Sequence, residues 1–351
     1  MSKKSKYNIA VVGATGNVGR EVIKILHEVN FPIDNFYALA SDKSEGKQIS
    51  KNLHQTLTVK SLKSFDPSKT KVDIAFFCAG SEVSKEYIED FTKNGCVVID
   101  KSSLYRNDKD VPLMIPEVNL EDLINYKNKH IICTPNCTVT PLAMVLQPLN
   151  DEFKIKRVVV TTMQSVSGTG KDAMDELFYQ TKSFYESGFS TEKEEKNGGK
   201  IYPKRIAFNC IPQCGSFDEN GNTQEEEKLK NELAKILKQD IALSATCVRV
   251  PVFITHSLVV NVEFEKEINL EKITDIFDEQ EGVVLSSIEG KNDRYLTPVE
   301  IAGSDIVFIS RLRKDNAVKS GLNMWICCDN TRKGAALNGV QIAQKLIEYY
   351  L

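Results

Sequence analysis

Asn8-Ile9-Ala10-Val11-Val12-Gly13-Ala14-Thr15-Gly16-Asn17-Val18-Gly19 joins a short apolar run to a glycine-punctuated turn and the start of an amphipathic stretch. The first five residues read as a buried strand and residues 20–29 as a helix. Glycine at such a turn lets backbone N–H groups approach a pyrophosphate, and the helix N-terminus adds favourable dipole charge. The spacing is G-x-x-G-x-x-G rather than the commoner G-x-G-x-x-G. Many tight turns use glycine for positive φ alone, but the position between a strand and a helix favours nucleotide binding. Downstream, residues 35–40, 72–78, 96–100 and 131–133 read as strands and 84–93 as a helix. This alternation predicts a Rossmann-like, doubly wound parallel sheet.

From about Lys154 the pattern changes to longer β-branched runs, 157–163, 245–250 and 258–264, separated by helical stretches such as 225–238. Strands with long helices suit a mixed sheet with its own core, hence a second, α+β domain. Residues 191–200 contain no apolar side chain and read as an exposed loop. The last stretch, 334–350, reads as a helix with Ala336, Val340, Ala343 and Leu346 near one face. No internal repeat is found. A chain of 351 residues agrees with two domains.

Hydrophobic residues at 41% and charged residues at 26% are those of a globular protein. A net charge of -3 provides no electrostatic footprint for nucleic acid or an anionic membrane. The polar start, Met1 to Tyr7, runs into an apolar strand too short for a signal sequence or a membrane span, so a cytoplasmic protein is expected. Nine cysteines without framework spacing fit a reducing compartment. The pairs Cys133/Cys137 and Cys210/Cys214 have no further ligands at zinc spacing, so no metal is expected.

After the second strand comes Ser41-Asp42-Lys43-Ser44-Glu45-Gly46-Lys47. An NAD enzyme places an acidic residue here for the ribose hydroxyl, whereas lysines and serines satisfy a 2′-phosphate. Asp42 favours the first reading, and Ser41, Lys43 and Ser44 favour NADP, the expectation adopted. Thr134-Pro135-Asn136-Cys137-Thr138 joins a strand to an apolar helical run, 139–149. A cysteine there sits where the helix dipole stabilises a thiolate. Most of the nine cysteines must be buried structural thiols; position singles out Cys137.

Gly13 to Gly19, Pro135-Asn136-Cys137-Thr138, Gln164-Ser165-Val166-Ser167-Gly168, and Arg249-Val250-Pro251-Val252 with His256 resemble the aspartate-semialdehyde dehydrogenase family. The similarity runs in order from Ile9 to Ala343. It implies reductive dephosphorylation of β-aspartyl phosphate by NADPH, giving aspartate semialdehyde and phosphate. That reaction serves synthesis of the aspartate-family amino acids: lysine and diaminopimelate, threonine and methionine. It also implies a homodimer or dimer of dimers. An NADP-binding domain of residues 1–136 and 330–351 would accompany a catalytic and dimerisation domain, 137–329, like the C-terminal domain of glyceraldehyde-3-phosphate dehydrogenase.

By the same resemblance, Cys137 is the nucleophile, His256 the general acid/base, and Gln164 orients the acyl group. Arg249 pairs with the substrate carboxylate and Glu225 with its amino group. Arg106, Lys228 and Asn136 hold the departing phosphate. Gly13, Thr15, Gly16, Asn17 and Val18, with Ser41, Lys43 and Ser44, bind NADP. Ser167, Gly168 and Gly170 lie by the nicotinamide half, and Asn338 reaches the cofactor from the C-terminal helix, which folds back on the first domain.

The chemistry asks for these residue types independently. A thiolate attacks an acyl phosphate readily, and phosphate leaves if cations stabilise it. The oxyanion formed on hydride addition needs donors and a group able to handle a proton, for which His is suited. Of four histidines, His27 falls on the first helix, His54 in a polar segment and His130 just before a strand. His256 is preferred for its relation to Arg249, which sits in an apolar run and needs an anionic partner. Their odd spacing puts them on opposite faces of one ideal strand, so a bend near Pro251 is required.

Three alternatives stand beside this reading. N-acetyl-glutamyl-phosphate reductase shares the thioester logic, but Asn136-Cys137-Thr138 and Glu225 argue against it. Glyceraldehyde-3-phosphate dehydrogenase needs a second phosphate pocket, uses NAD, and has its His much closer to the Cys. A non-catalytic NADP-binding dimeric regulator would have no use for Cys137, Gln164, Arg249 and His256 together.

Overall fold

A computed structural model of the chain describes residues 4–50, 55–186, 199–286 and 295–351. Of the expected 191–200 loop, only Gly199 and Lys200 fall among them, and His54 lies outside them. The chain divides into two compact units, Met1–Asn136 with Gly334–Leu351, and Cys137–Lys333.

The first unit begins with β1 (Tyr7–Val12), α1 (Asn17–Glu28) and β2 (Ile33–Ala40). A two-stranded antiparallel ribbon follows, β3 (Gln48–Ser50) with β4 (Thr56–Thr58), then β5 (Lys60–Ser61). Next come β6 (Ile74–Phe77), α2 (Ser81–Lys93), β7 (Val97–Asp100), the short α3 (Pro116–Asn119) and β8 (Ile131–Cys133). The main sheet runs β5-β2-β1-β6-β7-β8, and each of its pairings is parallel. Strand order reverses at β1, so the crevice between the ends of β1 and β6 is the topological switch point where such sheets bind ligands.

Helix α1 buries Val22, Ile23, Ile25 and Leu26, each stabilising by roughly 1.5–3 kcal/mol relative to exposure. The C-terminal segment closes this core. Instead of one continuous helix it has a π-helical turn, Arg332–Ala336, followed by a regular helix, Leu337–Tyr349. Lys101 Nζ donates to the Gly334 carbonyl at 3.0 Å, and a side chain inserted at a helical carbonyl accompanies such irregular turns. Leu337, Val340, Ile342, Ala343 and Leu346 then pack into the same core as α1 and β1.

The second unit opens with α4 (Val139–Phe153), β9 (Ile155–Gln164), a 3-10 turn (Val166–Thr169) and α5 (Lys171–Glu186). It continues with α6 (Gln224–Leu237), β10 (Ala242–Arg249), β11 (His256–Phe264) and α7 (Leu270–Glu279). Then come β12 (Val283–Leu285), α8 (Pro298–Ile301), β13 (Val307–Lys314) and β14 (Gly321–Cys328). The sheet order is β10-β9-β11-β14-β13-β12. It is mixed: β10/β9 and β12/β13 are parallel and the other pairs antiparallel. The start of α6 is set by a capping box between Thr223 and Glu226, with the Thr223 N–H donating to Glu226 Oε2 at 2.6 Å.

Candidate active site

In the first unit, the glycine turn follows β1 directly. Gly13 has φ +84, a conformation that only glycine adopts cheaply, and its N–H donates to the Leu39 carbonyl at 2.9 Å. A Cβ at Gly13 would stand 2.8 Å from the Cys78 carbonyl oxygen, and one at Gly19 would stand 2.2 Å from that of Gly13. The second clash shows why α1 can pack so closely on the turn. No acidic residue stands in the first turn of α1, and Gly16 at its N-cap has no side chain to satisfy the helix's first N–H groups. Thr15 to Val18 therefore form a cradle suited to a pyrophosphate.

At the end of β2, Ser41 caps a 3-10 turn formed by Asp42–Ser44. Lys43 is exposed and Ser44 buried, its hydroxyl 3.4 Å from Lys47 Nζ. Asp42 accepts a hydrogen bond from the Ser61 hydroxyl, so its carboxylate is engaged by β5. Arg106 is buried and donates from Nη2 to the Lys101 carbonyl at 2.7 Å. The loop carrying it is tied down by Asp100, which accepts from Ser84 and Ser102 hydroxyls at 2.9 and 2.7 Å. Burial raises the Asp100 carboxyl above its ordinary value. Lys101 Nζ also donates to the Pro135 carbonyl at 3.0 Å, fixing the segment that ends in buried Asn136. Asn338 is fully buried and donates to the Met114 carbonyl at 2.8 Å.

In the second unit, Cys137 stands in a turn two residues before α4. No acidic residue occupies the first turn of that helix, so its dipole acts on the thiol unopposed by a first-turn carboxylate. Of the other cysteines, Cys210 is exposed with no helix following, and burial pushes Cys78 to about 12 and Cys327 to about 11. Burial also raises Cys96, Cys247 and Cys328.

Gln164 ends β9, and the two strands flanking β9 deliver its neighbours. Arg249, the last residue of β10, pairs with Gln164 in parallel register. On the other side Ser257 of β11 pairs with Met163, so the next rung brings His256 level with Gln164. The odd Arg249–His256 spacing thus needs no bulge in a single strand. The chain leaves β10 at Arg249, crosses the end of β9, and returns on β11 in the opposite direction.

Arg249 donates from Nη1 to the Ser165 carbonyl at 2.7 Å. Its Nε is buried and makes no hydrogen bond among the described residues. It borders a cavity of ≈ 570 Å³, shared with Thr169, Tyr202, Gln213, Cys214 and Ser216. The Tyr202 ring lies 5.8 Å from the guanidinium, and its hydroxyl donates to Thr169 Oγ1 at 2.8 Å. Gln164 Nε2 donates to Glu225 Oε1 at 3.3 Å, and Lys228 Nζ lies 3.2 Å from Glu225 Oε2. Gln164, Glu225 and Lys228 are therefore one connected group. Burial pushes the Cys214 thiol up to about 11; Arg249 opposes the shift and Glu225, Glu226 and Cys137 add to it.

Gly168 completes the site by being small. A Cβ there would meet His256 Cε1 and Nε2 at 3.2 Å and Arg249 Nη1 at 3.3 Å. The neighbouring Ser167 hydroxyl is bonded to Asn330 and Ser165, and the Gly170 N–H to the Ser167 carbonyl. Ser165, Tyr202, Cys214 and Asn330 have no assigned role in the sequence reading. Tyr202 and Asn330 belong to distant stretches without a diagnostic pattern, and nothing local marks them.

Two family models match: semialdehyde dehydrogenase, NAD binding domain, over residues 8–126, and semialdehyde dehydrogenase, dimerisation domain, over 146–333. The chain is 52% identical to an aspartate-semialdehyde dehydrogenase of Rickettsia conorii, covering 99% of both chains. It is 45% identical to that of Aquifex aeolicus, covering 97% of this chain and 98% of the relative. The crystal structure of Vibrio cholerae aspartate semialdehyde dehydrogenase II complexed with ASA superposes with a TM-score of 0.92 at 40% identity, covering 99% and 100%. With a nucleotide-binding parallel sheet, a mixed second sheet and matches along nearly its whole length, the chain belongs to the aspartate-semialdehyde dehydrogenase family of oxidoreductases.

Proposed function

We propose that the protein reduces L-4-aspartyl phosphate to L-aspartate 4-semialdehyde and phosphate through a thioester on Cys137. The observation that carries this reading is the alignment of Arg249, Gln164 and His256 across three adjacent strands, in the unit that carries Cys137 before α4. A thiolate at Cys137 attacks the acyl carbon and phosphate departs, stabilised by cations and donors from Arg106, Lys228 and Asn136. Arg249 takes the substrate α-carboxylate in a bidentate fork, which its buried guanidinium beside a cavity suits. Glu225 receives the amino group, and Gln164 orients the acyl group. His256 presents Nε2 to the carbonyl oxygen and supports the negative charge that develops there.

NADPH, when bound, supplies the hydride that the thioester accepts. Gly13, Thr15, Gly16, Asn17 and Val18 would hold its pyrophosphate, and Ser41, Lys43 and Ser44 its 2′-phosphate. Ser167, Gly168 and Gly170 would border the nicotinamide half, by surface rather than by the Ser167 hydroxyl. Asn338 would act through the Met114 loop, since its amide is committed there. A homodimer formed through the second unit fits the dimerisation-domain match. Cytoplasmic placement agrees with this chemistry, and no helix of the described residues is long and apolar enough to cross a membrane.

The direct test is NADP reduction with aspartate semialdehyde and phosphate, compared with N-acetylglutamate semialdehyde. Activity confined to the second substrate would replace this reading with the reductase alternative. Arg249→Lys should chiefly raise the KM for aspartate semialdehyde, because a point charge replaces a fork. An effect on the phosphate KM alone would move Arg249 to the other end of the substrate.

Cofactor choice has its own test. Asp42 is engaged by Ser61, leaving exposed Lys43 as the cation on this turn. Lys43→Ala should weaken NADP binding by roughly 1–3 kcal/mol, the range for a hydrogen bond to a charged group, and leave NAD binding nearly unchanged. Equal losses for both cofactors in fluorescence titrations would assign the ribose to Asp42 instead.

A further inference from the structure

We infer that His256 works as a neutral imidazole with its proton on Nε2, donating a hydrogen bond to the reacting oxygen, and that Asn330, Ser167 and Ser165 hold it in that tautomer. The inference deepens the proposed function and rests on His256 facing the acyl group. Its ground is the hydrogen bonding at Nδ1. The Ser165 backbone N–H donates to Nδ1 at 3.0 Å, and a backbone N–H can only donate. A proton on Nδ1 would point at that N–H, so Nδ1 carries a lone pair and Nε2 carries the proton.

A chain of side chains reaches the same ring nitrogen. The Thr255 N–H donates to Asn330 Oδ1 at 2.9 Å, which identifies the amide oxygen without ambiguity. Asn330 Nδ2 therefore faces Ser167 Oγ, donating at 2.9 Å. The Ser167 hydroxyl can direct its own proton to Ser165 Oγ at 3.0 Å or to Asn330 Oδ1 at 3.1 Å. Ser165 Oγ in turn lies 3.1 Å from His256 Nδ1. Both hydroxyls also lie within donating distance of Asn330 Oδ1, at 3.1 Å each, so the Ser165 backbone N–H is what fixes Nδ1 as an acceptor, and the serine chain adds to it when its protons turn toward the ring. Ser165, Ser167, Asn330, Thr255 and His256 are all buried.

The backbone supports the same conclusion. Thr255, immediately before His256, has φ +83, a genuine outlier for a β-branched residue. Asn330 holds that strained N–H, so one amide both fixes the approach to His256 and orients the serine chain. At the far edge of the ring, Nε2 borders Gly168, where a Cβ would stand 3.2 Å from it.

Chemically, a neutral donor is sufficient. Hydride addition to the thioester makes a tetrahedral oxyanion; its collapse re-forms the carbonyl and expels the Cys137 thiolate. Electrons balance with no proton added or removed, so the imidazole has only to stabilise the oxyanion. Ser165, Ser167 and Asn330 act through His256 and are positioning residues for it.

The test uses the full chain with imidazole-15N-labelled histidine, the His256 resonances being identified by their loss in His256→Asn. The expected wild-type pattern is an unprotonated Nδ1 and a protonated Nε2. In Asn330→Asp the carboxylate cannot donate and takes the serine protons, so the Nδ1 resonance should shift. Its kcat should fall about ten- to a hundredfold, as for other partners that orient a functional imidazole, with both KM values unchanged. Ser165→Ala, which keeps the backbone N–H, should shift Nδ1 in the same direction with a smaller loss, and serves if Asn330→Asp does not fold. His256→Gln, whose amide reaches about the Nε2 position, should exceed His256→Asn by at least about tenfold, since one oxyanion donor is worth that much or more. A wild-type proton on Nδ1, unchanged shifts in Asn330→Asp and Ser165→Ala, or equal rates for the Gln and Asn variants would overturn the proposal. A His256→Asn enzyme at full rate would instead overturn the placement of His256 at the acyl group, while the nitrogen resonances would still report the tautomer.

Discussion

Cys137→Ala is expected to show no measurable turnover while retaining its fold and its affinity for NADP. Without the thiol no acyl-enzyme can form, and water in its place would give aspartate rather than the semialdehyde. Neither Cys214 nor Cys328 can substitute. Cys214 is the neighbouring thiol in the same unit, but burial pushes it up to about 11, which leaves about one part in ten thousand as thiolate at pH 7. Cys328, beside His256 on the sheet, is raised further by burial. The fold should survive because Cys137 is only partly buried, in a turn ahead of α4, and the substitution removes one sulfur. The measurements are turnover with aspartate semialdehyde and phosphate, thermal unfolding, and titration with NADP. A purified variant with native stability and substantial activity would eliminate the thioester route.

His256→Asn should slow the reaction by about two to three orders of magnitude, the scale lost when one oxyanion donor is removed. Substrate binding should change little, because Arg249 is held by the Ser165 carbonyl and not by His256. The shorter Asn amide can occupy the place of Nδ1, keeping the Ser165 N–H satisfied, but it leaves the Nε2 position beside Gly168 empty. Loss in kcat with an unchanged KM for aspartate semialdehyde is therefore the expected signature. A rate within a few-fold of wild type would mean that another group carries the charge on the oxygen.

What could be read from the chain alone was what local sequence controls. Residues 8–19 specify a strand, a turn and a helix within one short stretch, and the turn's geometry needs glycine at 13 for φ and at 19 for close packing. The alternation that followed was enough for a parallel sheet, because a strand that returns after a crossover lies parallel to the one before it, even though β6 pairs with β1 rather than with β2. The position of Cys137 ahead of a helix was legible for the same reason, that helix beginning two residues later. Boundaries moved by a few residues at most, except at the C-terminus, where contact from Lys101 interrupts the expected single helix.

Tertiary structure alone decided which distant residues meet. Arg249 and His256 look mismatched along one strand, and only the strand order β10-β9-β11 puts them on either side of Gln164. Asp42 could be weighed as a ribose acceptor from sequence, but its engagement by Ser61 depends on β5 pairing with β2. Asn330 carries no local signature, yet it joins the turn before His256 to the serines after Gln164, because β14 and β9 flank β11 in one sheet. Strands and turns are written in neighbouring residues, whereas sheet order and side-chain networks are settled by which long-range pairings bury the core.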